Sequence, residues 1–209
     1  MNPGEVLLAV AIVCAGYLIG GIPWGVIVAR VAGGPDPRTI GSGRTGGANV
    51  MRALGPRLAI LSGLLDVAKG VVAVLLARVL GSGVEVEILA ALAAVVGHSR
   101  SPFIRFEGGR GVSAAFGGLI VLQPLVALAI IPVFALVLLV SRYSSLASLS
   151  ASAAGGLVMA ALFVAAHLSG AWLGYAVAGP LLIWLFHHDN IGRLLRGTER
   201  RVGDPPVTR

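Results

Sequence analysis

Charge is what this 209-residue chain has least of. Asp, Glu, Lys and Arg together make 12% of it, where a soluble domain carries roughly a quarter. That shortage excludes a water-solvated globule. With 56% hydrophobic residues and a mean hydropathy of +0.92, the chain reads as an all-α polytopic membrane protein. A single cysteine, Cys14, excludes a disulfide within the chain and leaves the redox compartment open. The nine acidic residues form no cluster, which excludes an aspartate-rich metal motif of the kind a nucleotide-alcohol phosphotransferase needs; no metal is expected. Lysine occurs once, so the net charge of +7 is carried by arginine. On a soluble protein such an excess would suggest nucleic acid; here the positive-inside rule accounts for it, and no nucleic-acid partner is expected. The opening Met-Asn-Pro-Gly-Glu lacks the basic region of a signal peptide, so the first apolar run is expected to be kept as a span. Without tandem repeats or low-complexity segments, residues 1–209 read as one integral membrane domain, with a disordered tail after about residue 203.

What is present is a series of apolar runs at about 6–29, 58–80, 86–97, 112–141, 146–166 and 171–186. The 112–141 run holds no charge and contains Pro124 and Pro132. As one straight helix it would measure about 45 Å, against a hydrocarbon core of about 30 Å. Arginine placement decides how it is read. Fourteen arginines fall in the first and third loops, at Arg142 and in the tail, and splitting 112–141 near Pro124 puts all of them on one side. The expectation is seven spans, N-terminus out and C-terminus in, with three polar loops on the cytoplasmic face. Ser148, Ser152 and Gly156 make a small-residue row for close helix approach. Trp172, Tyr175 and Trp184 are placed as interfacial anchors.

Three stretches carry chemistry. The first runs Gly41-Ser42-Gly43-Arg44-Thr45-Gly46-Gly47-Ala48-Asn49-Val50-Met51-Arg52. Its glycines can turn backbone N–H groups toward an anion. Gly41, Gly43 and Gly46 also satisfy G-x-G-x-x-G, but a membrane run precedes them where a dinucleotide fold needs a strand. A Walker A reading fails at Gly47, where lysine belongs. The second stretch, Gly108-Gly109-Arg110-Gly111, runs straight into an apolar helix, whose N-terminus suits phosphate. The third contains His187, Asn190 and Arg193, spaced to share one helix face. The competing plain reading is flexible turns with positive-inside arginines. Asp66 and Lys69 lie inside a span, where each costs about 2.5–3.5 kcal/mol; their spacing predicts an ion pair facing the bundle or one that orients the glycine loop. His98 reads as an interfacial histidine or a site residue, His167 as inert, and Arg100 and Arg105 as solvated charges.

Taken together these stretches resemble the acyl-phosphate-dependent glycerol-3-phosphate acyltransferases, the PlsY family. The family loop Gly-Ser-Gly-Asn-x-Gly-Ala-Thr-Asn-Val-x-Arg-x-x-Gly is met here by Gly41-Ser42-Gly43, Gly46, Asn49-Val50, Arg52 and Gly55. Gly97-His98 through Gly108-Gly109-Arg110-Gly111-Val112 is similar to its second motif. His187, Asn190-Ile191, Arg193-Leu194 and Gly197-Thr198-Glu199 are similar to its third. Pro23, Asp36-x-Arg38 and Asp66-x-x-Lys69-Gly70 fit as well, so the resemblance runs along nearly the whole chain.

The resemblance implies a bacterial cytoplasmic membrane enzyme with its active site facing the cytoplasm. It would pass an acyl group from acyl phosphate to the 1-hydroxyl of glycerol 3-phosphate, giving lysophosphatidic acid and phosphate for phospholipid synthesis. Acyl phosphate is already activated, so no covalent enzyme intermediate, cofactor or metal is required. The implied catalytic residues are Ser42, Arg52, Arg110, His187 and Asn190, with His187 or a substrate phosphate oxygen as base. Phosphate or substrate binding falls to Gly41, Gly43, Gly46, Asn49, Arg38, His98, Gly108, Gly109, Gly111, Arg193, Thr198 and Glu199, supported by Asp66 and Lys69. The acyl chain is expected between helices, reaching lipid sideways. Three departures stand out: Arg44 for asparagine, Gly47-Ala48 for Ala-Thr, and Arg110 for lysine, a swap that keeps charge but not shape. The rival reading is a transporter or scramblase of a phosphorylated metabolite or anionic lipid. It would need polar residues through both halves of the membrane, whereas here they gather on one face.

Overall fold

A computed structural model describes residues 2–167 and 169–204. Most of the tail expected to be disordered, 205–209, lies outside the described residues. The architecture is a helical bundle: α1 (Pro3–Gly21), α2 (Trp24–Val31), α3 (Gly47–Leu54), α4 (Pro56–Val79), α5 (Val84–Ser99), α6 (Val112–Leu122), α7 (Pro124–Ser141), α8 (Ser144–Ala166), α9 (Gly170–Phe186) and α10 (His188–Leu195). No strand occurs among the described residues. Four stretches are long and apolar enough to cross a membrane: the joined α1–α2, α4, α7 and α8; the α9–α10 pair, bent by 65°, makes a fifth if counted as one span. Their outward faces are greasy, with Leu7, Leu64 and Leu139 each more than 60% exposed, as lipid-solvated helices should be.

Prolines punctuate the bundle where the backbone can accept them. Pro23 separates α1 from α2, and Pro124 separates α6 from α7, so the long 112–141 run is two helices. Gln123, forced out of the helical region by the following proline, has φ −147° and ψ 80°. Pro132 and Pro180 remain inside α7 and α9.

Glycine lets the helices touch. A methyl group at Gly97 would overlap the Tyr17 carbonyl oxygen of α1, and methyls at Gly70 and Gly117 would overlap carbonyls across the α4–α6 contact. The small row on α8 acts as expected at Gly156, whose Cβ would stand 2.6 Å from the Ala176 carbonyl oxygen of α9. Overpacking of this kind costs about 1–3 kcal/mol and sometimes more. Gly70→Ala should therefore lower the unfolding temperature in detergent by several degrees, while Gly63→Ala on the same helix, with open space around it, should leave it unchanged.

One aromatic departs from expectation. Tyr175 is not an interfacial anchor but a core residue, 8% exposed, packed with Ile88, Leu119, Val126 and Met159. Its face of α9 turns inward toward α5 and α8. Trp172 packs partly buried against the same cluster, whereas Trp184 is exposed on the outside.

Candidate active site

The glycine loop is shaped by Asn49. Its buried Nδ2 donates to the carbonyls of Pro37 (2.6 Å), Ile40 (2.9 Å) and Arg44 (2.9 Å), and its Oδ1 accepts from the Ser42 N–H at 3.2 Å. With those partners its amide is used inside the protein, so from the cavity wall it positions the loop. Gly41 and Gly43 take φ values of +58° and +69°, which glycine adopts without strain. The loop ends at Gly46, which begins α3 without a side-chain cap.

The second stretch also differs in detail. The N–H groups of Gly108 and Gly109 are not free for an anion: they donate to the carbonyls of Ser99 (3.2 Å) and His98 (3.1 Å). Both glycines are there for space, since a methyl on Gly109 would overlap the His98 ring. This tight turn delivers Arg110 and the uncapped N-terminus of α6, entered from Gly111 at φ +79°.

At the α9–α10 bend, buried His187 donates from Nδ1 to the Ile183 carbonyl at 2.7 Å, an arrangement that leaves Nε2 as an acceptor. Burial pushes its pKa down to about 4, the nearby Arg110 charge acting in the same direction against the Ile183 hydrogen bond. The ring is neutral at pH 7. As pH falls from 6.5 toward 4, the unfolded chain takes up a proton that native His187 refuses. Stability should decline across that window by up to about 3 kcal/mol, and His187→Gln should flatten the decline in a denaturation-versus-pH series.

Glu199 is a bracket on the cavity wall. Its carboxylate accepts from Ser145 Oγ (2.7 Å), Asn190 Nδ2 (2.5 Å) and Arg193 Nε (2.6 Å). Burial raises the Glu199 pKa, but these three donors outweigh it and hold the carboxyl below its ordinary value. Arg193 is thus partly neutralised. Thr198 is exposed and away from the cavity, at 3.5 Å from the Arg193 carbonyl. Arg38 is likewise apart, forked onto Asp36 at 2.7 Å.

All three stretches line one polar cavity of about 470 Å³, with Ser42, Arg44, Arg52, Arg110, His187 and Asn190 among its walls. Buried guanidinium nitrogens of Arg52 (Nε) and Arg110 (Nε) have no hydrogen-bond partner among the described residues. Burial lowers the pKa of Arg110 to about 10, with Arg44 and Arg193 adding to it; burial and then the Arg200 charge lower that of Arg52. Both stay cationic at neutral pH. Arg44, the residue that departs from the family pattern, is tied to Asp189 at 3.1 Å.

Asp66 and His98 also reach the cavity wall. Asp66 pairs with Lys69 at 2.8 Å, Lys69 donates to the Ile22 carbonyl at 2.9 Å, and His98 Nδ1 lies 3.4 Å from Asp66. The expected ion pair is therefore present, and His98 is a buried member of the cluster, not an interfacial one. Ser145 and Arg200, outside the residues that the motifs point to, also line the cavity. The serine pair Ser144-Ser145 after Arg142-Tyr143, and the basic pair after Glu199, are the available signals.

An apolar cavity of about 340 Å³ adjoins the polar one, sharing Val112, Ser113, Phe134 and Ser148 with it. A cationic chamber against a greasy one fits a lipid headgroup and its tail. Residues 10–197 match the family model for glycerol-3-phosphate acyltransferase. The chain belongs to that family. Acyltransferase relatives include one from Rubrobacter xylanophilus, 45% identical over 201 residues covering 94% of this chain and 96% of the relative. Another, from Neisseria meningitidis, is 43% identical over 92% of this chain and 96% of its own length. Among solved structures, PlsY (YgiH), an integral membrane glycerol 3-phosphate acyltransferase, superposes in its glycerol 3-phosphate form with a TM-score of 0.84. Identity to it is 38%, covering 93% of this chain and 96% of that one. Its lysophosphatidic acid form gives 0.82 at the same identity, covering 92% and 94%. Family membership thus places the chain among integral membrane acyltransferases of phospholipid synthesis.

Proposed function

We propose that this protein transfers an acyl group from acyl phosphate to the 1-hydroxyl of glycerol 3-phosphate, releasing lysophosphatidic acid and inorganic phosphate. The observation that carries this reading is the pair of buried, unpartnered guanidinium nitrogens on Arg52 and Arg110, facing one cavity that shares a wall with an apolar one. Phosphate oxygens would satisfy those donors with charge-assisted bonds, while the acyl chain would lie among α4, α6, α7, α8 and α9.

The chemistry follows from this placement. The glycerol hydroxyl oxygen attacks the acyl carbonyl carbon, the carbon–oxygen bond to phosphorus breaks, and phosphate leaves with its electron pair. Arg52 and Arg110 bind and neutralise phosphate, and orientation of the two substrates supplies much of the remainder. His187 Nε2 accepts from a glycerol hydroxyl. With a pKa near 4 it is a weak base, so a substrate phosphate oxygen is the better final proton acceptor. Asn190, fixed by Glu199, orients the acceptor alongside it. In the bilayer we place seven spans, with N-terminus outside and C-terminus inside, and the cavity toward the cytoplasm of a bacterial inner membrane. The break at Gln123–Pro124 and the gathering of the three basic stretches around one cavity support that arrangement.

The test is phosphate release by purified protein given palmitoyl phosphate, with and without glycerol 3-phosphate. Acceptor-dependent release with formation of lysophosphatidic acid, both lost in Arg52→Ala, is the expected result. Absence of turnover with this donor would overturn the assignment, and turnover only with acyl-CoA or acyl carrier protein would move it to another donor.

A further inference from the structure

Beyond α10 the described residues stay against the bundle. Residues 197–204 fold back as a strap across the polar cavity. Val202 N–H donates to the Arg142 carbonyl at 2.8 Å, and Arg142 Nη2 returns a bond to the Val202 carbonyl at 2.9 Å. The Arg201 guanidinium sits 5.5 Å from the Tyr143 ring centre, and its backbone N–H donates to Asp204 at 2.7 Å. Arg52 Nη2 reaches the Arg201 carbonyl at 3.5 Å. The strap is thereby held to the α7–α8 turn on one side and to α3 on the other.

This anchoring turns Arg200 the opposite way from Arg201, into the cavity. Its Nη1 is buried with no hydrogen-bond partner among the described residues, and it stands 3.5 Å from where a Cβ on Gly41 would be. Arg200 therefore overlies the glycine loop, and its charge bears directly on that of Arg52. Two like charges with unpartnered buried nitrogens, facing one loop of backbone, are unfavourable together unless an anion lies between them. Among the described residues neither has a carboxylate within ion-pairing distance, unlike Arg44 and Arg193. Arg200 also lies three residues past the stretch matched to the family.

We propose that Arg200, delivered by the 197–204 strap, is a phosphate-binding residue that completes with Arg52 and the Gly41–Gly43 loop a subsite for a tetrahedral phosphate dianion. Arg110 lines the same cavity beside Arg44 and Arg193, so the cavity carries cations enough for two phosphate-bearing substrates. This deepens the acyltransferase reading and rests on it for the identity of the ligand, donor phosphate or acceptor phosphate.

The test separates binding from turnover. The rise in unfolding temperature of the full-length protein is titrated with inorganic phosphate in wild type, Arg200→Ala, Arg200→Gln and Arg142→Ala. The first two variants should need about tenfold more phosphate for the same rise. Arg142→Ala, which loosens the strap without removing a cavity charge, should need less than about threefold more. In parallel, KM for glycerol 3-phosphate and for palmitoyl phosphate is measured separately. One of them should rise about tenfold in Arg200→Ala with kcat changed much less, and which one rises assigns the subsite. Wild-type phosphate dependence in both Arg200 variants would overturn the proposal. So would an Arg142→Ala effect as large as theirs, which would reduce Arg200 to strap order. If no acyl transfer is found at all, the phosphate titration still reads Arg200 and the failure belongs to the reaction.

Discussion

Arg110→Ala should lower kcat/KM by about 10²–10³-fold, the usual consequence of removing a preorganised charge donor from a water-poor site. The effect is expected to be that large because Arg110 is held before any substrate arrives. The Gly108–Gly109 turn is bonded to the carbonyls of Ser99 and His98, and glycine alone fits beside the His98 ring. Alanine would leave the turn intact and remove only the charge, so the loss should appear in steady-state kinetics with little change in unfolding temperature. Arg110→Lys should recover much of the rate, because a compact ammonium can meet one phosphate oxygen though not two at once. Activity of Arg110→Ala within a few-fold of wild type would remove this residue from the mechanism.

The second large effect concerns folding. Lys69→Met should destabilise the protein by about 3–5 kcal/mol, the cost of leaving a buried charge without its partner. Asp66 is 2% exposed and lies 2.8 Å from Lys69. Lys69 also donates to the Ile22 carbonyl at the Pro23 break, which accepts the Trp24 N–H as well. Asp66→Asn/Lys69→Met should be more stable than Lys69→Met alone, because the orphaned charge is gone. A chemical denaturation series in detergent measures both. If Lys69→Met unfolds like wild type, His98, at 3.4 Å from Asp66, is a sufficient partner and the lysine is dispensable.

Much of this was legible in the residues, and the misses share a cause. Apolar runs and prolines located the helices because lipid and a missing N–H act locally, as at Gln123–Pro124. The Asp66–Lys69 pair followed from helix spacing. The three basic stretches could be recognised as anion chemistry, but not which of their atoms were available. Asn49 faces inward, Gly108 and Gly109 bond backbone carbonyls, and Glu199 is taken up by Ser145, Asn190 and Arg193. Those assignments depend on partners that tertiary folding supplies, some more than 50 positions away in the chain. Tyr175 fails as an anchor for the same reason: helix rotation about its axis, not position along it, decides what faces lipid. Arg44 shows the opposite case, in which a departure from the family pattern found its compensation in Asp189, 145 positions on.

The outer wall of the apolar cavity has a kinetic consequence. Ile131, 46% exposed on the outer surface, also lines the apolar chamber, so the tail of a bound donor would have only a helix between it and the surrounding acyl chains. A donor that arrives and a product that departs by that side never pass through water. The quantity that saturates such an enzyme is a surface density. Diluting the assay buffer should leave the rate unchanged, whereas diluting palmitoyl phosphate with inert lipid in the same bilayer should lower it.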